Sequence, residues 1–163
     1  MAEVIIAAGS NLGNKLHYLQ QAGKFLDKIS HSAVKKSSIW ESEPVGVEAK
    51  FPFLNTVALI RTNDQPGMLL NKLKKFECEM GRETNPERWH PRVLDLDIIA
   101  YDGLVIHKDN LIIPHPEYHQ RLFVLLPMQE ILPDWTDPEN KTRIDKMIEQ
   151  APEITMKKLN NDW

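Results

Sequence analysis

One cysteine, Cys78, is all the chain carries, which excludes an internal disulfide and a Cys-rich zinc site, and with them a stapled secreted scaffold and a zinc finger. Long apolar runs are missing as well. No stretch approaches the 18 or more apolar residues of a membrane span, and Met1-Ala2-Glu3-Val4 has neither the basic segment nor the apolar length of a secretory signal. The expected location is the cytoplasm. An excess of one charge is also absent: 20 Lys and Arg stand against 23 Asp and Glu, a net −3, too little for the basic face that broad nucleic-acid binding requires. No repeat, low-complexity tract or linker interrupts the chain. With 163 residues, 42% of them hydrophobic, the expectation is one soluble domain over residues 1–163.

The apolar residues that are present change period along the chain. Val4 to Ala8 is a short continuous run ending at Gly9-Ser10-Asn11, the pattern of a buried strand and a turn. From Leu12, apolar positions recur every three or four residues through Leu16, Leu19, Gly23, Leu26 and Ile29, which predicts a helix capped by Ser10 or Asn11. Val34 to Ser42 and Leu54 to Thr62 are rich in β-branched and small residues and read as strands; the Pro-marked stretch between them reads as a working loop. Asp64-Gln65-Pro66 supplies an acidic cap and a first-turn proline for a second helix with Leu69, Leu73, Phe76 and Met80 as its stripe, ending at Gly81. On that helix Cys78 is expected to be a small buried group rather than a nucleophile.

Arg82 to Pro91 reads as a loop and Val93 to Tyr101 as a strand. The order β-α-β-β-α-β is that of the ferredoxin-like α+β fold, an antiparallel sheet with helices packed on it. A C-terminal extension follows: a short strand near Leu104 to Ile106, a Pro114-His115-Pro116 turn, helices about Arg121 to Ile131 and Arg143 to Gln150, and a strand within Ile154 to Leu159.

Gly9-Ser10-Asn11-Leu12-Gly13-Asn14-Lys15 imitates a phosphate-binding loop, but the glycine spacing is one residue short and Leu16 follows the lysine where a magnesium-binding hydroxyl is needed. It reads as a plain β-α turn. The segment that carries chemistry is Arg82 to Asp97, with three of the chain's six arginines followed by Asp95 and Asp97. In a strand, i and i+2 share a face, so the two carboxylates stand roughly 6.5–7 Å apart at Cα and repel unless a cation lies between them. Magnesium suits such a hard-oxygen pair together with phosphate oxygens, and arginine forks suit phosphate. The plainer alternative is a solvated strand face paired to Arg82 or Arg92. Trp89, Pro86 and Pro91 among the charges have the composition of a lid over a ligand. His115 is either a turn histidine held by backbone or a phosphate contact, Phe123 taken alone is core, and Asn55 taken alone is a strand-edge hydrogen-bonder. The histidines show no H-E-x-x-H spacing, which argues against zinc. A ferredoxin-like sensor and a metal-dependent phosphohydrolase stay open beside phosphoryl-type transfer.

Taken together, Gly9-Ser10-Asn11-Leu12-Gly13, Trp40 to Gly46, Phe53-Leu54-Asn55, Arg88-Trp89-His90-Pro91-Arg92-Val93-Leu94-Asp95-Leu96-Asp97-Ile98, Ile113 to Pro116 and Arg121 to Leu125 resemble the 6-hydroxymethyl-7,8-dihydropterin pyrophosphokinase family of folate biosynthesis. The resemblance implies pyrophosphate transfer from ATP to the hydroxymethyl oxygen of the pterin, with AMP released. It implies two Mg2+ ions held at Asp95 and Asp97, charge neutralisation by Arg82 and Arg92, and an ATP site lined by Glu77, Trp89, Arg92, Ile98, Leu111, His115 and Arg121. It further implies a pterin pocket of Ser42, Pro44, Val45, Phe53, Asn55 and Phe123, with no nucleic-acid or membrane partner and a monomeric chain. Four positions depart from the resemblance: Thr84 stands where a second arginine is often found and His90 where a glycine is usual, and some members of the family place an arginine where Asn110 stands and a glutamine where Lys74 stands.

Overall fold

The first apolar run forms β1, Ala2–Ser10, and every layer of the fold is built against it. The computed structural model describes residues 1–44, 51–81 and 93–163. After β1 come α1 (Lys15–Ile29), β2 (Lys35–Lys36), β3 (Trp40–Ser42), β4 (Phe53–Thr62), α2 (Pro66–Glu79), β5 (Asp95–Tyr101), β6 (Ile106–Lys108) and β7 (Leu111–Ile113). A 3-10 turn, Tyr118–Gln120, precedes α3 (Leu122–Ile131), α4 (Ile144–Gln150) and β8 (Met156–Lys158). The main sheet runs β5-β1-β4-β3-β8, with β2 also pairing β4, and every pairing in it is antiparallel. β4 sits between β1 and β3 while β1 sits between β4 and β5, the interleaving expected of a ferredoxin-like core.

Alternation along the strands divides the core in two. Val4, Ile6, Ala8, Leu54, Ala58, Ile60, Leu94 and Leu96 face α1 and α2 through Leu19, Leu26, Leu69 and Leu73. Ile5, Ala7, Val57 and Ile99 face α3 and α4 through Val124, Leu125, Met128 and Met147. The C-terminal extension therefore covers the second face of the sheet. The β1–β5 register shifts between Ile5 and Ile6, opposite an extra residue at Ile99, so a bulge lies two residues beyond Asp97.

Several local expectations are corrected. α1 begins at Lys15, capped by the Asn14 side chain, which accepts from the His17 N–H at 3.2 Å; Leu12 lies outside it and is exposed. Gly13 takes a φ of +69° in the turn, so the chain has not yet entered the helix there. Asp64 does not cap α2, whose N-cap Gln65 makes no side-chain cap bond; its carboxylate pairs with Lys72 instead. Cys78 is exposed, not buried, since Leu69, Leu73 and Glu77 occupy the buried side of α2. The Val34–Ser42 strand is broken into β2 and β3, because Ser37 turns its N–H to the Val57 carbonyl and its Oγ to the Val57 N–H. The strand read near Leu104 starts at Ile106 and is one arm of a hairpin with β7.

Gly23 permits a close crossing. A Cβ there would lie 2.6 Å from the carbonyl carbon of Trp163, whose indole donates to the Ser37 carbonyl at 2.9 Å. An exposed helical Gly→Ala change ordinarily stabilises by about 1 kcal/mol. Gly23→Ala is expected to lower the thermal midpoint instead, and a raised midpoint in a melting curve would remove the packing role.

Candidate active site

The sheet register brings the two halves of the predicted site onto one face. Gly9 of β1 pairs with Asn55 on one side and with Asp95 on the other, and Ala7 pairs with Val57 and Asp97 in the same way. Directly paired residues point to the same side of a sheet, so Asp95, Asp97, Asn55 and Phe53 all face the α3 side. Between the acids and Asn55, β1 contributes only Gly9 and Ala7. The floor from Asp95 to Asn55 is two strand spacings, roughly 10 Å, and carries no bulky side chain.

At one end, Asn55 is buried, and its Nδ2 donates to Ser42 Oγ at 2.9 Å and to the Trp40 carbonyl at 3.3 Å. Both amide hydrogens are thereby used within the protein, leaving Oδ1 as the acceptor the group presents beside Gly9. Phe53, two residues before it on β4, and Pro44, two residues beyond Ser42, are half-buried. Phe123, in the first turn of α3, is half-buried against the second core cluster with the Arg121 guanidinium 5.7 Å from its ring centre. Arg121 also pairs with Glu117 at 2.5 Å.

At the other end, a cleft of about 270 Å³ opens between α2 and the β6–β7 hairpin. Leu70, Lys74, Asp97, Ile98, Leu111 and His115 are among its walls. Burial pushes the Asp97 carboxyl up to about 6, and Asp95 beside it adds to that push while Lys74 and Arg121 oppose it. A carboxyl raised in this way is one whose charged form burial opposes, which is the condition a hard divalent cation relieves. Among the described residues no cluster of three or more His, Cys, Asp or Glu could hold a metal. The pair fits magnesium, which typically takes one or two protein carboxylates and draws its remaining ligands from water and phosphate.

His115 is held by its N–H, which donates to the Ile99 carbonyl at 2.8 Å. Its Nδ1 accepts from the Glu117 N–H at 3.1 Å, so the ring carries its proton on Nε2 and offers a neutral donor. Burial, reinforced by the Arg121 charge, holds its pKa down at about 4. A second cavity, about 290 Å³, shares Ile112, His115 and Pro116 with the cleft but touches neither aspartate of the pair.

The family model for 7,8-dihydro-6-hydroxymethylpterin-pyrophosphokinase (HPPK) matches residues 5–133. The chain belongs to that family. A Haemophilus influenzae protein named 2-amino-4-hydroxy-6-hydroxymethyldihydropteridine pyrophosphokinase is 37% identical over 161 residues, 98% of this chain and 99% of that one. A Bacillus subtilis protein of the same name is 45% identical over 77% of this chain and 75% of its own length. This chain spans 27% of the Arabidopsis thaliana folate synthesis bifunctional protein, to which it is 44% identical over 130 residues. Among solved structures, wild-type Plasmodium falciparum HPPK-DHPS superposes with a TM-score of 0.71 at 11% identity, over 91% of this chain and 44% of that one; that likeness shows the fold.

Of the predicted site residues in this HPPK family member, Asp97, Ile98, Leu111 and His115 meet in the cleft. Asp95 adjoins them through β5, and Ser42, Phe53 and Asn55 gather on the neighbouring strands. Arg121 and Phe123 come from the start of α3. Glu77 is fully buried behind β5, its Oε1 accepting from the Leu96 N–H at 2.6 Å and from Lys74 Nζ at 3.1 Å. Val45, Arg82, Trp89 and Arg92 lie outside the described residues. Leu70, Asp109, Ile112 and Pro116 line the cleft unforeseen. The apolar periodicity of α2 could have found Leu70; nothing local marks Asp109 or Ile112, which arrive through the hairpin.

Proposed function

We propose that this chain, as a single domain over residues 1–163, transfers pyrophosphate from ATP to the hydroxymethyl oxygen of 6-hydroxymethyl-7,8-dihydropterin with Asp95 and Asp97 as its metal seat. The observation that carries the reading is the row Asp95, Gly9, Asn55 across three neighbouring strands, which sets a metal-fitting acid pair one bare strand away from a buried amide acceptor.

The pterin lies over that floor between Phe53 and Phe123, whose faces suit a flat bicycle, with Asn55 Oδ1 accepting a ring N–H. Its hydroxymethyl arm then points along Gly9 toward the acids. ATP occupies the cleft beside Ile98 and Leu111, where His115 donates from Nε2 and Arg121 brings a fixed positive charge. Asp95 and Asp97 would hold two Mg2+ ions, which would supply acidification of the attacking hydroxyl and positive charge for the phosphates. Arg82 and Arg92, assigned by the resemblance, add positive charge to the phosphates and, with Trp89, exclude water that would compete as acceptor. Ser42 and Pro44 close the pterin side, to which the resemblance also assigns Val45, and Glu77 stands behind the acids. The chain works as a cytoplasmic monomer.

Incubation of the protein with Mg2+, ATP and the hydroxymethyl pterin, followed by chromatography, tests the reading. AMP should appear in equal amount with pterin diphosphate and only when pterin is present. AMP without pterin favours a hydrolase, and no nucleotide product favours a sensor. At limiting Mg2+ the rate should fall as pH drops through about 6, because a proton on Asp97 competes with metal, and the fall should move to lower pH as Mg2+ is raised. An acid limb independent of Mg2+ would speak against the metal seat. Phe123→Ala should weaken pterin binding about 5- to 100-fold, as loss of a stacking face and its buried area implies; unchanged affinity by calorimetry would return Phe123 to the core.

A further inference from the structure

β5 is the edge strand of the main sheet among the described residues, and an edge strand turns a row of N–H and C=O groups away from its neighbours. At Leu96 both groups are taken up by α2. Glu77 Oε1 accepts from the Leu96 N–H at 2.6 Å, and Lys74 Nζ donates to the Leu96 carbonyl at 3.2 Å. Lys74 Nζ also donates to Glu77 Oε1 at 3.1 Å, which closes a triangle of three contacts, two of them on Leu96. That residue separates Asp95 from Asp97. Its own side chain is buried on the opposite face against α1 and α2, so the clamp holds the backbone and the core holds the side chain.

We propose that Lys74 and Glu77 clamp the Leu96 backbone and thereby set the separation and aim of the Asp95 and Asp97 carboxylates, which makes Lys74 a positioning residue for pyrophosphoryl transfer. This rests on the function proposed above. The two peptide units flanking Leu96 carry the two aspartates, and rotation of either unit swings a carboxylate. A displacement of about 1 Å at a reacting centre can cost about 100-fold in rate. A glutamate with no accessible surface needs a cation or strong donors, and Lys74, whose side chain is 40% exposed, brings a positive charge to it from the cleft side. A glutamine at position 74 would keep a donor for the Leu96 carbonyl.

The test uses the full chain with Lys74→Met, Lys74→Gln and Glu77→Gln. Three readouts are taken: amide hydrogen exchange at Leu96, Mn2+ affinity by calorimetry with a non-hydrolysable ATP analogue present, and kcat against KM. Lys74→Met should speed Leu96 exchange about tenfold, weaken Mn2+ binding at least about fivefold and lower kcat, with pterin KM unchanged. Lys74→Gln should recover most of each loss. Glu77→Gln should speed Leu96 exchange in the same direction. Unchanged exchange and Mn2+ affinity in Lys74→Met would overturn the clamp, as would weaker analogue binding with Leu96 exchange unchanged, which would make Lys74 a direct nucleotide contact. Absence of AMP formation by the wild-type protein would overturn the function, whereas a wild-type protein that forms AMP beside a Lys74→Met variant that matches it in every readout would overturn the clamp alone.

Discussion

Asp97→Asn is expected to lower kcat at least about 100-fold and, in the metal-free protein at pH 7, to raise the thermal midpoint. The rate loss follows from removing the carboxylate proposed as a metal ligand, at roughly 3 kcal/mol of transition-state stabilisation. The gain in stability follows from the same carboxylate. Its pKa rises from the ordinary 3.8 to about 6 on folding, so the folded chain binds the proton more tightly than the unfolded chain. A charged Asp97 therefore opposes folding above pH 6, and that opposition fades as pH falls toward 4. Two units correspond to about 3 kcal/mol; partial solvent contact reduces this to about 1–2 kcal/mol, or a few degrees for a chain of this length. Melting curves of variant and wild type should converge between pH 6 and 4. Asp95→Ala should show a comparable rate loss. Near wild-type turnover in either variant would contradict the metal seat, and an Asp97→Asn midpoint below wild type at pH 7 would contradict the electrostatics.

Asn55→Ala is expected to weaken pterin binding about 10- to 100-fold, with a loss of stability beside it. The side chain is buried, and its amide hydrogens hold Ser42 Oγ and the Trp40 carbonyl in place. Deleting it removes the acceptor for the ring and leaves Ser42 and Trp40 without that donor, at about 1–3 kcal/mol for each buried group left unmade. Calorimetry with the hydroxymethyl pterin, well below the melting transition, separates the two effects. Unchanged affinity would move the pterin away from Asn55.

The layered core was legible in the sequence because its signal is local: the β-branched and small residues of β4 and the three-to-four spacing in α1 and α2 are each written in consecutive residues. The Asp-x-Asp pair was legible for the same reason, since a strand places i and i+2 together. What the sequence hid depends on partners far along the chain. Glu77 lies on the buried side of α2 because the Leu96 N–H, 19 residues later, is there to meet it; charge alone would have turned it outward. β7 is three residues long and gains strand character only by pairing with β6. The α1 start moved three residues because Asn14 reaches the His17 N–H, while Ser10 Oγ is committed to the Val93 carbonyl. Juxtaposition of Asn55 with Asp95 required the register of three strands, which no single segment encodes.

The most direct test is a crystal of the protein grown with Mn2+, a non-hydrolysable ATP analogue and the hydroxymethyl pterin, examined for anomalous scattering. The expected result is two peaks about 3.5–4 Å apart, both against Asp95 and Asp97, with the pterin between Phe53 and Phe123 and its edge on Asn55. A metal bound elsewhere, or a pterin away from the Gly9 floor, would contradict the account.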